Sequence, residues 1–151
     1  MNITIRKATE EDLPKVYELV KTLARYENAE KEVTATPEDY KKDFKAGIFQ
    51  AHVAESEGQI IGMVLYYMTF STWKGRMLYL EDFVVHEPYR RSGVGQLLWN
   101  ELVTEAKRQG ARLLKWQVLD WNEPAIRFYK KNQAIIETEW HNGKIIFNGN
   151  K

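Results

Sequence analysis

The residues best suited to chemistry lie mid-chain, where Tyr89-Arg90-Arg91-Ser92-Gly93-Val94-Gly95 separates a strand-like run from a run with helical apolar spacing. A helix starting there presents backbone N–H groups without intrahelical acceptors and the positive end of its dipole, and both favour an anion. Glycines at 93 and 95 allow a phosphate to approach the backbone, and two arginines supply charge. The loop has neither the Gly-Lys-Ser/Thr ending of a Walker A motif nor the three glycines of the dinucleotide fingerprint. Glycine-bearing turns between strand and helix occur in many folds, so the arginine-first spacing R-x-x-G-x-G carries the argument. Upstream, Glu81 and Asp82 stand side by side within the apolar run from Leu78 to Val85. Strict alternation along a strand would send the two carboxylates to opposite faces, and only a bulge would bring both to one pocket. Downstream, Phe128-Tyr129 follows Asn122-Glu123-Pro124, and taken alone it reads as aromatic core packing. His52, His86 and His141 have no ligand motif around them, so no metal is expected.

These residues need a frame. Ile3 to Lys7 alternates as a strand, and Thr9-Glu10-Glu11-Asp12 then offers a capping-box start for a helix carrying Leu13, Val16, Tyr17, Val20 and Leu23. Thr36-Pro37-Glu38-Asp39 opens a second, shorter helix. Three strand-like runs follow, Gln50 to Glu55, Ile60 to Phe70 and Met77 to Val85, with connections short enough for an antiparallel meander. The glycine loop then opens a helix whose Val94, Leu97, Leu98, Leu102 and Ala106 share one face and which Gly110 ends. Leu113 to Leu119 reads as a strand and Asn122-Glu123-Pro124 starts another helix. Ala134 to Trp140 and Lys144 to Phe147, joined by Asn142-Gly143, read as a closing hairpin. The pattern predicts one α+β domain over residues 1–151, of order βααβββαβαββ, with a central mixed, mostly antiparallel sheet flanked by helices.

Composition removes several function classes. The 151 residues contain no cysteine, which excludes disulfides, thiolate zinc sites and a cysteine nucleophile. A net charge of +1, from 22 basic and 21 acidic residues, gives no basic excess for nucleic acid. No run approaches the ~20 apolar residues of a membrane span, and the N-terminus lacks a signal pattern, so a cytoplasmic protein is expected.

Three segments together resemble a known family. They are Tyr66-Tyr67-Met68-Thr69-Phe70 with Trp73 and Gly75, then Leu78 to Val85 running into the arginine loop, then Trp121-Asn122-Glu123-Pro124-Ala125-Ile126-Arg127-Phe128-Tyr129-Lys130-Lys131. With Leu23-Ala24-Arg25-Tyr26-Glu27 they resemble the GNAT acetyltransferases, in particular the diamine branch that includes spermidine/spermine and thialysine N-acetyltransferases. The resemblance implies acetyl-CoA as cosubstrate and direct transfer to the primary amine of a small cationic molecule. It implies backbone contacts from Phe83, Val84 and Val85 to the pantetheine and acetyl carbonyl. Arg90, Arg91, Ser92, Gly93, Val94, Gly95 and Gln96 would hold the pyrophosphate, and Asn122, Glu123, Pro124 and Ala125 would meet the cofactor's other side. An alkyl amine of pKa ~10.4 must lose a proton before it attacks, and the resemblance gives that task to Glu81, through water. Tyr129 would protonate the leaving sulfur. Tyr26, Glu27, Glu81, Lys115, Trp116 and Gln117 match substrate contacts, and Trp73 or Trp116 could add a cation–π contact. Where the family has glycine after the Phe-Tyr-Lys-Lys segment this chain has Asn132, which could take the left-handed conformation. The likeness and the apolar run Ile145-Ile146-Phe147 also imply a homodimer. The competing readings are a GNAT enzyme acting on a peptide or protein amine or an antibiotic, and a CoA-binding module without turnover.

Overall fold

The computed structural model describes residues 2–147. They form two compact units, one ending at Gln117 and one starting at Val118. In the first unit, β1 (Thr4–Lys7), β2 (Gln50–Ser56), β3 (Gln59–Ser71), β4 (Gly75–Val85) and β5 (Leu113–Lys115) lie in sequence order across one sheet. The first three pairings are antiparallel and the last is parallel, as the crossover through α3 (Val94–Arg108) requires. The sheet is therefore mixed and mostly antiparallel, as expected, and β2, β3 and β4 form the meander.

Alternation along the strands supplies two apolar faces. Ala51, Val53, Met63, Leu65 and Val84 pack with Val16 and Leu19 of α1 (Leu13–Tyr26) in one buried cluster. The buried face of α3 carries Val94, Leu98 and Leu102. This helix comes close because β3 has a glycine beneath it: a Cβ on Gly62 would lie 3.1 Å from both Leu98 Cδ1 and the Val84 carbonyl oxygen.

Local signals set the helix ends. Thr36 Oγ1 accepts from the Asp39 N–H at 3.1 Å, and the Asp39 carboxylate accepts from the Thr36 N–H at 2.8 Å. This capping box starts α2 (Pro37–Lys45). Asn28 at φ 58° turns the chain out of α1, and the Ala29 N–H donates to the Ala24 carbonyl at 2.8 Å. Ahead of α1, buried Asp12 accepts from the Thr9 N–H at 2.7 Å and from two nitrogens of Arg6 at 2.8 and 3.0 Å. Arg6 also donates to Glu55 of β2 at 2.9 Å, so one guanidinium ties β1, β2 and the start of α1 together.

In the second unit α4 (Glu123–Lys131) is capped by the Asn122 side chain, which accepts from the Ala125 N–H at 3.4 Å. The left-handed residue at its end is Gln133 (φ 72°), not Asn132 (φ −97°). Asn132 instead donates its side-chain N–H to the Phe128 carbonyl at 2.9 Å. The expected closing hairpin is not formed: residues 134–147 include no strand, and Ile135, Trp140, Ile145, Ile146 and Phe147 are exposed. A two-stranded hairpin has no face of its own to bury and is marginal without a further layer. Similarly, the strand expected to reach Leu119 stops at Lys115. No helix among the described residues is long and apolar enough to cross a membrane.

The Arg6–Asp12 pair makes a stability prediction. Asp12→Ala leaves the Arg6 charge without its main partner and should cost roughly 2 kcal/mol at pH 7, discounted because Arg6 is 34% exposed. Arg6 holds the Asp12 carboxyl below its usual value, so its contribution is present above about pH 4 and is lost as pH falls through the lowered folded-state value. Urea unfolding of both proteins should show the gap at pH 7 and its closure in acid.

Candidate active site

β4 does not pair with β3 residue for residue. Leu65 pairs with Asp82 and Tyr66 with Leu80, so Glu81 is an extra residue opposite a single step of β3. The bulge breaks the alternation, and Glu81 and Asp82 both line one cleft of about 570 Å³ on the α1 side of the sheet. Glu27 at the end of α1 lines the same cleft, as do Tyr40, Phe49, Leu65 and Tyr67. Glu32, Asp39 and Asp43 add further carboxylates, and no Lys, Arg or His is among the lining residues.

The carboxylates differ in environment. Glu81 is exposed and accepts a hydrogen bond from the Tyr67 hydroxyl at 3.0 Å. Asp82 is half-buried, and desolvation, followed by the charges of Glu81 and Glu27, pushes its carboxyl up to about 7. Burial also raises Glu27. The Tyr40 hydroxyl is pushed up to about 12, first by burial and then by Asp82. A group that exchanges a proton near neutrality thus stands inside a cleft able to attract a cation.

At the other end of β4 the chain enters the loop before α3. Arg91 (φ 67°) and Gly93 (φ 91°) both take left-handed conformations, and no side chain among the described residues caps the helix. A Cβ on Gly93 would have no atom within 4 Å, so the space over the loop is open. Ser92 donates to the Tyr89 carbonyl. Arg90 is turned back from the helix N-terminus: its Nε donates to the Val85 carbonyl at 3.0 Å and its guanidinium lies 5.8 Å from the Tyr26 ring. Among the described residues β5 pairs with Met77, Leu78 and Tyr79, and its pairing with β4 ends before Phe83, Val84 and Val85. Open loop, uncapped helix and parted strands fit an extended ligand with a phosphate group.

Other expected site residues are dispersed. Tyr26 is exposed beneath Arg90 and does not line the cleft, nor do Lys115, Trp116 and Gln117. Trp116 packs edge-on against Trp99 at 5.1 Å, and Trp99 stacks with Phe83 at 6.1 Å. Trp73 is 83% exposed in the turn between β3 and β4. In the second unit, Tyr129 is buried on α4, edge-on to Phe128 at 5.8 Å. His52, Glu101 and Glu105 bring possible ligand atoms within 4.8 Å of one another. Arg108 already pairs with both carboxylates, and the Tyr66 hydroxyl bonds His52 Nδ1 at 2.8 Å, which makes this a satisfied ion-pair network.

The acetyltransferase (GNAT) family model matches residues 13–134. The chain belongs to the GNAT acetyltransferase family. A thialysine N-epsilon-acetyltransferase of Bos taurus is 35% identical over 92% of this chain and 89% of its own. Its counterpart in Caenorhabditis elegans is 32% identical over 85% and 80%. A human spermidine/spermine N(1)-acetyltransferase-like protein 1 is 30% identical over 91% of this chain but 21% of its own length. An aminoglycoside acetyltransferase from an uncultured soil metagenomic sample superposes with a TM-score of 0.80 over 97% of both chains; at 20% identity it shares the fold alone.

Within this GNAT fold the cleft adds residues to those expected. Strict alternation would put Asp82 opposite Glu81; the structure takes the bulged alternative, which brings both into the cleft. Tyr40, Tyr67, Asp39 and Asp43 had no motif to mark them. The one usable signal was the pair Glu81-Asp82 in an apolar strand, an expensive placement unless a pocket receives both.

Proposed function

We propose that this protein is an N-acetyltransferase that moves the acetyl group of acetyl-CoA to the primary amine of a small cationic molecule, with both bound together. The carrying observation is the cleft, lined by Glu27, Glu32, Asp39, Asp43, Glu81 and Asp82 without a basic residue. Six carboxylates attract cations, while a ligand bearing its own carboxylate meets like charge with no cationic lining residue to answer it. This favours a diamine or polyamine. The second reading, a thialysine-like amino acid, is supported by the activity named for the bovine and nematode relatives. A peptide amine or an antibiotic is a weaker alternative. A CoA-binding module without turnover has no use for a carboxyl that titrates near 7 beside a cation cleft.

The family match runs across both compact units, which supports one acetyltransferase domain. Acetyl-CoA, when bound, supplies an acyl group activated as a thioester. The first-turn N–H groups of α3, from Val94 to Gln96, are suited to its pyrophosphate, with Gly93 giving close approach and Arg91 adding charge. The backbone of Phe83, Val84 and Val85, beyond the pairing with β5, is suited to the pantetheine. Arg90 acts as a brace between this loop and Tyr26. The N-terminus of α4, Asn122 to Ala125, is assigned to the cofactor by family likeness, as is the Tyr129 hydroxyl as proton donor to the leaving sulfur. The cleft carboxylates take up the ammonium proton. The exposed apolar residues of 134–147 support a homodimer in which a second copy covers them.

Four outcomes test this reading. In a free-thiol assay, 1,3-diaminopropane or spermidine should give a higher kcat/KM than thialysine or lysine, with the advantage falling as salt is raised. Preference for thialysine would transfer the assignment to the second reading, and no thiol release with any amine would sink it. Gly93→Ala should weaken acetyl-CoA binding by tenfold or more, about 1.4 kcal/mol or above. Its left-handed alanine also lowers stability by about 1–2 kcal/mol. Tyr129→Phe should keep that affinity and lose about 10²- to 10⁴-fold in single-turnover rate; calorimetry paired with rapid quench separates the two effects. Sedimentation should give a dimer at micromolar concentration, and a monomer alone would remove the proposed assembly.

A further inference from the structure

Two carboxylates of the cleft stand next to each other, and the geometry gives them different tasks. This inference rests on reading the cleft as the amine site. Glu81 accepts from the Tyr67 hydroxyl at 3.0 Å, and the Tyr67 ring stacks on Tyr79 at 5.5 Å with a 25° tilt, which holds the donor in place. Asp82 has no such donor among the described residues and sits deeper, beside Leu65 and Phe49 in the cleft wall. The ionisable groups facing it are Glu81 on its own strand, Glu27 from α1, and Tyr40 and Tyr67, with Asp39 and Asp43 of α2 and Glu32 on the cleft rim.

We propose that Asp82, rather than Glu81, takes the proton from the substrate ammonium, and that Tyr67 is the positioning residue that holds the Glu81 carboxylate in place beside it. In this step one N–H bond of the ammonium breaks and its electron pair stays on nitrogen as the attacking lone pair. An O–H bond forms on Asp82, and the proton passes from there to solvent. Glu81 holds the ammonium in the cleft. Burial and neighbouring anions set the Asp82 carboxyl at about 7, where a carboxylate both accepts and releases a proton readily.

The test is the pH dependence of the single-turnover rate with acetyl-CoA and an alkyl diamine between pH 5 and 9.5. Wild type, Asp82→Asn, Glu81→Gln and Tyr67→Phe are compared, each checked by circular dichroism and acetyl-CoA binding. The acceptor works only when ionised, so the wild-type rate should rise with pH through a midpoint near 7 and then level. Asp82→Asn should lose that limb and about 10²- to 10⁴-fold in rate. Its residual rate should climb instead toward the amine's own pKa, ~10.4. Glu81→Gln should keep the limb and move it to lower pH, because the anion that raises Asp82 is gone. Tyr67→Phe should keep the limb but raise the diamine concentration that half-saturates the rate, since the Glu81 carboxylate, released from its donor, no longer holds the ammonium in one place.

A limb near 7 that survives in Asp82→Asn, or disappears in Glu81→Gln, overturns the assignment of the acceptor. Unchanged half-saturation by the diamine in Tyr67→Phe overturns the positioning role. If Asp82→Asn does not fold, the Glu81→Gln profile decides alone. Absence of turnover by the wild type with every amine tried overturns the reading of the cleft itself, a result distinct from any of these.

Discussion

Because Leu65 pairs with Asp82 while Tyr66 pairs with Leu80, β4 carries one more residue than β3 at a single step, and the presence of both Glu81 and Asp82 in the cleft depends on that count. In a regular strand one of the two carboxylates would point to the α3 side, where Val94, Leu98 and Leu102 are fully buried. An unpaired charge there costs several kcal/mol. The bulge removes that conflict by turning both carboxylates toward α1 and solvent, where Glu27 joins them. It also concentrates like charge, and Asp82, the more enclosed member, responds by holding its proton to higher pH.

The same strand connects this cleft with the loop before α3. Gly62 beneath Leu98 and the Val84 carbonyl lets α3 sit close to the sheet, which sets where its N-terminus lies relative to the end of β4. Arg90 then links the Val85 carbonyl to the ring of Tyr26, one residue before Glu27.

Much of the frame was legible because its signals are local. The capping box at Thr36 and Asp39 and the cap at Asn122 each depend on residues within a few positions and form as read; the apolar stripe of α3 forms at Val94, Leu98, Leu102 and Ala106, while Leu97 is exposed. The glycine loop was legible for the same reason, since Gly93 takes the left-handed conformation that its residue type favours. Gln133 was not: the left-handed position fell one residue later than the expected Asn132, whose side chain bonds the Phe128 carbonyl. The closing hairpin failed for a different reason, because good turn and strand residues at 134–147 still need an apolar layer to pack on.

The sequence by itself determined the family, the order of elements through α4, the anion-suited loop and the presence of two adjacent acids in an apolar strand. Only the tertiary structure decided that these acids share a cleft and which of them is enclosed. It also decided that Tyr67 serves Glu81 and that Tyr40, Asp39 and Asp43 face the same space. Local patterns select backbone conformation within a few residues. A bulge and a burial difference arise from how β4 pairs with β3 and packs beside α1, contacts made between residues far apart in the chain.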